Sequence, residues 1–598
     1  MRLGLTIHHL PPDESDRLSR SDKLLEWILL LFSILGIAVI LLAHGFYWTK
    51  DQQDFLDKVQ FSLLSIFVAI YLYRLFKKKK VKITRHVKLF ATLLLIALVV
   101  EIVFELTKVH YQFTRKEIHH LIHKVILTFV QVAILSQAIF SFAALNPTIL
   151  SWRFRPGILL ITSFLFFIFI GSLLLMMPKA VNNGHHLSYL DALFTATSAI
   201  CVTGLITVDT ATVFSPFGKG ILLLLMQVGG LGILTFVAFF RSALGRSLSM
   251  KDEMLLSDLI HEESGLSIAE MLGKILGFTL TFELVGALFL FAEWHTAFSD
   301  PVEAFGVSLF HAVSAFCNAG FSVFTDSLMD SRAVHNLWIV FIVAQLIIVG
   351  GLGFQTMEEI RSKVQSTLQR EIPRFRVSLQ TRIALITTFI LLVAGTLLFY
   401  ELENQNTLSQ FSGVEKWMHA FFQSVTTRTA GFNTVDIGAL QNSTLVLFLM
   451  LMFVGGSPGS TAGGVKVTTV AVAFLSIKSI LRRDRRLVYH KRNIPFRTFN
   501  NAMMVLVFSV TTVAISFFLL SLTEQGAKLR DILFEVVSAF GTVGLSTGLT
   551  SHLTALGKMI IMANMFIGRL GPLTLALALG QREKPLEAEF PEEAVMVG

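Results

Sequence analysis

Four stretches of the chain can be laid on one another around a glycine: "FTATSAICVTGLITVD" (Phe194 to Asp209), "FHAVSAFCNAGFSVFTD" (Phe310 to Asp326), "FFQSVTTRTAGFNTVD" (Phe421 to Asp436) and "FEVVSAFGTVGLSTG" (Phe534 to Gly548). In each, a phenylalanine stands ten residues before the anchor glycine, pairing Phe194 with Gly204, Phe310 with Gly320, Phe421 with Gly431 and Phe534 with Gly544. Ser-Ala opens three copies, at Ser198, Ser314 and Ser538, while the third has Val425-Thr426 in that register. The chemistry open to such a set belongs to the main chain. Side chains differ among the triplets Val202-Thr203-Gly204, Asn318-Ala319-Gly320, Thr429-Ala430-Gly431 and Thr542-Val543-Gly544, but the glycine recurs, which permits positive φ and a close approach. Four such turns around one axis would offer carbonyl oxygens in place of a cation's hydration shell. These twelve residues are the candidate filter. Tight helix packing, the other use of small residues in membranes, does not demand a polar turn at the same place in four copies.

Such turns need apolar elements to hold them. Every copy lies between two long apolar runs, giving a helix, pore-loop, helix unit four times over, with anchors 116, 111 and 113 residues apart. A short helix running inward would end with the negative end of its dipole near mid-membrane. The non-helical return is tolerated at that depth only where it lines a water-filled path. Beyond each anchor the second apolar run carries another glycine signature: "VGGLG" (Val228 to Gly232), "VGGLG" (Val349 to Gly353), "VGGSPG" (Val454 to Gly459) and "IGRLG" (Ile567 to Gly571).

The third signature expands into "GGSPGSTAGGVKVTT", Gly455 to Thr469. A phosphate loop needs Gly, four residues, then Gly-Lys-Ser/Thr. Here Gly459 and Gly464 keep that spacing, but Val465 occupies the lysine position and Lys466 comes one residue late, a turn of about 100° on a helix. Apolar runs flank the loop, so a nucleotide site is set aside. Ser443 to Ile480 as one helix would be about 57 Å long, too long for a hydrocarbon core of ~30 Å, and Pro458 and the glycines favour a break. Gly455, Gly456, Ser457, Pro458, Gly459, Ser460, Thr461, Ala462, Gly463 and Gly464 therefore read as a loop at membrane depth that must line a cavity, with Lys466 anchoring or snorkelling from its end. Arg569, in the fourth signature, is a costly intramembrane charge and a functional candidate by default. Below a filter it would raise an electrostatic barrier to cations; the competing role is counter-charge to an acid such as Glu283.

Composition agrees with a polytopic membrane protein: 53% hydrophobic and 15% charged, mean hydropathy +0.67, against about 25% charged in an average soluble domain. Twelve apolar spans are expected, near 25–45, 60–76, 88–107, 123–145, 157–178, 219–240, 269–294, 337–357, 381–402, 443–480, 499–522 and 555–580, with no cleavable signal peptide. The net charge of +9 concentrates in basic segments at 74–88, 361–382 and 478–497. Each falls after an even number of crossings, so both termini are expected in the cytoplasm, and the basic runs read as topology signals rather than a nucleic-acid surface. Two cysteines, Cys201 and Cys317, exclude a disulfide scaffold. "EIHHLIHK" (Glu117 to Lys124) could ligate a metal by spacing but reads better as an interfacial helix face. The units fall at 151–250, 251–365, 366–490 and 491–582, after an accessory four-span region at 1–150 and before a cytoplasmic tail at 583–598.

Together, "SAFCNAGFS", "TTRTAGFNTVD", "GGSPGSTAGGVK" and "GTVGLS" resemble the Trk/Ktr/HKT potassium transporter superfamily, most closely its prokaryotic membrane subunits, over about 430 of 598 residues. The resemblance implies an all-α polytopic protein with four pseudosymmetric helix, pore-loop, helix repeats around a central cation pore, plus four N-terminal spans. It implies potassium uptake across a bacterial inner membrane rather than enzyme chemistry, with potassium as transported ion and no covalent cofactor. Expected partners are a second copy in a homodimer and a cytoplasmic nucleotide-binding ring subunit. The family's filter maps onto the twelve triplet residues, and its gate and inner-helix arginine onto Gly455–Lys466 and Arg569. In plant relatives a serine in the first loop accompanies sodium transport; Gly204 favours potassium. "Thr-Val-Gly" occurs only in the fourth copy and each filter is shorter than "TVGYG", which leaves open a sodium-tolerant channel or symporter. The ion-conducting subunit of a potassium-pumping ATPase shares the repeat style, and a membrane enzyme would need an acid, base or metal constellation.

Overall fold

A computed structural model describes residues 20–77, 127, 131, 156–232, 268–368, 377–482, 487–489 and 492–571. The expected spans at 88–107 and 123–145 and the histidine cluster at 117–124 lie outside the described residues, apart from single helical positions at 127 and 131. Ahead of the repeats stand α1 (Arg20–Gly45) and α2 (Lys50–Lys77).

Four units follow, each with an outer helix, a short helix and an inner helix. The first comprises α3 (Pro156–Leu175), α4 (Tyr189–Ile200) and α5 (Pro216–Leu231), and the second α6 (Ile268–Trp294), α7 (Pro301–Phe316) and α8 (Leu337–Leu352), which continues into α9 (Phe354–Leu368). The third comprises α10 (Leu379–Glu403), α11 (Gly413–Thr426) and an inner helix in two pieces, α12 (Asn442–Phe453) and α13 (Val467–Leu481). A two-stranded antiparallel ribbon, β1 (Leu487–Tyr489) and β2 (Arg492–Ile494), leads to α14 (Phe496–Thr523), α15 (Leu529–Gly541) and α16 (Ala555–Leu570). Among the described residues this ribbon is the exception to the expected all-α architecture.

Outer helices carry the lipid-compatible surface. On α6, Leu280, Leu284 and Leu288 recur every fourth residue and are each 52% exposed, an unburied apolar stripe that suits hydrocarbon rather than water. Short helices are the reverse: Phe194, Phe310 and Phe534 are buried, and only Phe421 is half-buried, beside a fully buried Phe422. The recurrent phenylalanine is thus a core contact.

Caps and struts fix the helix ends. The Ser188 hydroxyl accepts from the Asp191 amide, Asp300 accepts from the Val302 amide, and Ser412 with Glu415 forms a capping box, satisfying amides that a helix start leaves free. Glutamates near the outer-helix ends hold the next inner helix at its start. Glu293 accepts from Asn336 Nδ2 at 2.9 Å, Glu403 from the Gln441 amide at 3.0 Å, and Glu524 from Thr554 Oγ1 at 2.6 Å.

The units close on themselves. Inner helix α5 packs on short helix α7 of the next unit, α8 on α11, α12 on α15, and α16 returns to α4. An ion pair between Lys558 Nζ and Asp191 Oδ1, 2.6 Å apart, joins the fourth unit to the first.

One segment differs from the sequence reading. The span expected at 337–357 ends at Leu352, where Gly353 at φ +84° lets α9 leave at 101° to α8. The basic stretch from 361 is therefore partly helix, because an amphipathic run follows the glycine. The run at 443–480 is broken as its length and Pro458 lead one to expect, with helix ending at Phe453 and resuming at Val467.

Candidate functional site

The four triplets share a backbone pattern. Their first residues all have positive φ, at Val202 (56°), Asn318 (59°), Thr429 (71°) and Thr542 (51°), and so do the anchors Gly204 (90°), Gly320 (70°), Gly431 (79°) and Gly544 (91°). Three of those first residues are β-branched, for which this conformation is a genuine outlier. Such strain persists only where the surroundings over-determine it.

The surroundings are polar braces from the short helices. Ser198 and Ser538 hydroxyls accept from the amides of Gly204 (3.0 Å) and Gly544 (3.1 Å). In the other two units the hydroxyl donates to the carbonyl after the anchor: Ser314 to Phe321 (2.8 Å) and Thr426 to Phe432 (2.5 Å). The register shift at Val425-Thr426 moves the brace one residue along without losing it. Further braces come from His311 to Ser322 (3.0 Å), Gln423 to Thr434 (3.2 Å), and Glu535 to the Thr547 amide (3.2 Å) and Thr550 Oγ1 (2.6 Å). Sequence reading missed these last three; each lies eight or nine residues before its anchor.

The anchors form a closed ring. A Cβ added to Gly204 would lie 2.6 Å from the Ala319 carbonyl oxygen, on Gly320 2.8 Å from that of Ala430, and on Gly431 2.7 Å from that of Val543. On Gly544 it would overlap the carbonyl oxygen of Thr203. The contacts run from unit one to two to three to four and back to one. No side chain fits anywhere on this ring, and four carbonyl oxygens surround it.

Beside the ring lies the break in the third inner helix. Its ends meet as the Gly455 amide donates to Val465 O (2.8 Å) and the Val467 amide to Gly456 O (3.1 Å). The loop between them is stitched to its neighbours. Ser457 and Thr461 amides donate to Gly351 O (3.0 Å) and Gly350 O (3.3 Å), Thr461 Oγ1 donates to Phe316 O (3.2 Å), and the Phe354 amide donates to Gly459 O (3.2 Å). Gly463 and Gly464 lie against Thr542 and Gly541 of the fourth unit. Lys466 turns back into the loop and donates to Ala462 O at 2.6 Å.

Arg569 donates to Thr461 O in the loop and to Gly229 O of the first unit. It thereby ties the third, fourth and first units together through backbone carbonyls. Glu283, weighed as its counter-charge, instead accepts from Gln227 Nε2 (3.1 Å) and the Cys317 thiol (3.6 Å). Both cysteines are buried free thiols. Among the described residues no group of His, Cys, Asp or Glu could hold a metal ion.

Fold and site together define a class: a polytopic membrane protein in which four short helices deliver backbone carbonyls to one closed ring. The TrkH family model, described as a cation transport protein, matches residues 116–585, and the chain belongs to this family of transporters, which are not enzymes. It is 39% identical over 446 residues to the Ktr system potassium uptake protein B of Vibrio alginolyticus, covering 74% of this chain and 95% of that one. It is 34% identical over 452 residues to the potassium/sodium uptake protein NtpJ of Enterococcus hirae, covering 75% of this chain and 98% of the relative. Its fold resembles the crystal structure of the potassium transporter TrkH from Vibrio parahaemolyticus, with a TM-score of 0.57 at 17% identity over 82% of this chain and 97% of that one.

Proposed function

We propose that this protein takes up potassium across a bacterial inner membrane through the four-glycine ring. The observation that carries the reading is the ring itself, in which each anchor glycine faces the carbonyl oxygen of the next unit. Carbonyls held by strained, braced backbone exchange for the hydration shell of a cation. The triplets Val202–Gly204, Asn318–Gly320, Thr429–Gly431 and Thr542–Gly544 are the potassium-binding filter of a central pore shared by four pseudosymmetric repeats. The repeats run 151–250, 251–365, 366–490 and 491–582, beside four accessory N-terminal spans in 1–150.

The loop Gly455–Gly464, anchored by Lys466, is the gate. Arg569 holds it closed by bonding Thr461 O, and its fixed charge opposes a cation there. Basic segments at 74–88, 361–382 and 478–497 mark the cytoplasmic face, with both termini on that side and 583–598 a cytoplasmic tail. The 478–497 segment, which includes the ribbon, docks a cytoplasmic nucleotide-binding regulatory subunit, and the chain works as a homodimer. Names of relatives support potassium as cargo. One relative's name includes sodium, and filters shorter than "TVGYG" fit partial sodium tolerance as the second reading.

Expression in a host lacking potassium uptake systems tests this. Growth is expected at low potassium, with rubidium influx well above background. Influx at the background level in cells with the protein in their membranes would defeat the reading.

A further inference from the structure

Polar contacts hold one face of α9. Glu358 pairs with Lys274 at 2.6 Å, Glu359 accepts from the Ser378 amide at 2.8 Å, and Gln355 accepts from Gln380 at 3.1 Å. The other face presents Ile360, Val364 and Leu368, one every fourth residue and 37%, 52% and 78% exposed. Because α9 leaves α8 at 101°, it lies crosswise to that apolar inner helix. Between this face and the start of α10 lies a cavity of about 630 Å³, walled by Ile360, Val364, Leu368, Val377 and Leu385, within the size range of small-ligand sites.

Two cations, Lys363 and Arg382, also line the cavity. Their neighbours Lys274 and Arg361 both pair with Glu358, whereas neither Lys363 nor Arg382 has a carboxylate partner among the described residues. Thr381, another lining residue, is fully buried with a hydroxyl that has no hydrogen-bond partner. A buried hydroxyl left without a partner is costly.

We propose that this cavity binds an anionic phospholipid, its acyl chain along the apolar wall and its headgroup phosphate between Lys363 and Arg382. An occupant with an apolar tail and a negative head matches both halves of the lining. Location at the bundle's lipid boundary supplies it from the bilayer.

The test uses the full-length protein purified in detergent. Phosphatidylglycerol, phosphatidylcholine and inorganic phosphate are added separately, with thermal unfolding and bound lipid by native mass spectrometry as readouts. Phosphatidylglycerol alone is expected to raise the unfolding temperature and to remain bound. K363Q/R382Q should weaken its retention roughly 25-fold, about fivefold per basic residue near an anionic surface. Val364→Trp, at an exposed position, should fill the groove and displace lipid with both charges intact, which covers the case in which the double variant folds poorly. Undiminished phosphatidylglycerol retention in both folded variants would overturn the proposal. Equal retention of phosphatidylcholine would overturn it too, as would a change of oligomeric state in Val364→Trp without loss of lipid, which marks the groove as a contact between copies. None of these readouts depends on transport.

Discussion

Three inner helices are continuous to their glycine signature and one is broken, although all four signatures begin alike. In α5, α8 and α16 the first signature glycine packs on a carbonyl at the end of its own short helix. A Cβ on Gly229, Gly350 or Gly568 would overlap the carbonyl oxygen of Ile200, Phe316 or Phe540, each four residues before its anchor. In the third unit the corresponding Gly455 faces Gly463 O of its own loop. The same motif packs a helix against its own short helix in units one, two and four, and in the third unit folds back on its own loop. That loop then borrows the second unit's contact, since Thr461 Oγ1 donates to Phe316 O. Symmetry at the ring is thus combined with asymmetry beside it.

Substitutions at the ring probe the symmetric half. Gly204→Ala, Gly320→Ala, Gly431→Ala and Gly544→Ala should each cut rubidium flux at least about a hundredfold, because each Cβ meets a main-chain oxygen that cannot move aside. Equal losses at four sites are expected; a glycine tolerated in one unit would open the ring there.

Next come the signatures. Gly350→Ala and Gly568→Ala should each destabilise the protein by about 3 kcal/mol, the upper end for overpacking, read as a fall in unfolding temperature. Ser460→Ala in the third unit removes only a hydroxyl bond to Ser457 O and should cost about 1 kcal/mol. Similar costs at all these positions would erase the distinction between the packed signatures and the folded-back one.

An effect as small as that at Ser460 is expected at Thr461. Thr461→Val removes one hydroxyl bond to Phe316 O, about 0.5–1.5 kcal/mol, and should raise basal flux severalfold with little change in unfolding temperature.

Most of the ring was legible because it is made of backbone. Recurrent glycines ten residues after a phenylalanine, and a polar turn between apolar runs, are patterns that period and residue type reveal. Positive φ at Val202, Thr429 and Thr542 was not legible, since β-branched residues argue against that conformation. It follows from braces whose donors and acceptors differ in every unit. Ser198, Ser314 and Ser538 were visible as a repeat without a role, and His311, Gln423 and Glu535 differ too much in chemistry to register as equivalents. The broken helix could be read from length and Pro458, but its stitching to Gly350, Gly351 and Arg569 depends on units more than a hundred residues away. The turn of α9 at Gly353 was missed because hydropathy continues past a glycine whose φ alone redirects the chain.

Rubidium efflux from proteoliposomes carrying wild-type protein or Arg569→Gln tests the central claim most directly. Arg569 is the tie between the loop and the first unit, and a hydrogen bond to a charged group contributes about 1.5–3 kcal/mol. Its loss should raise efflux ten- to a hundredfold. Efflux unchanged from wild type, at equal protein incorporation, would contradict an arginine-held gate beside the four-glycine ring.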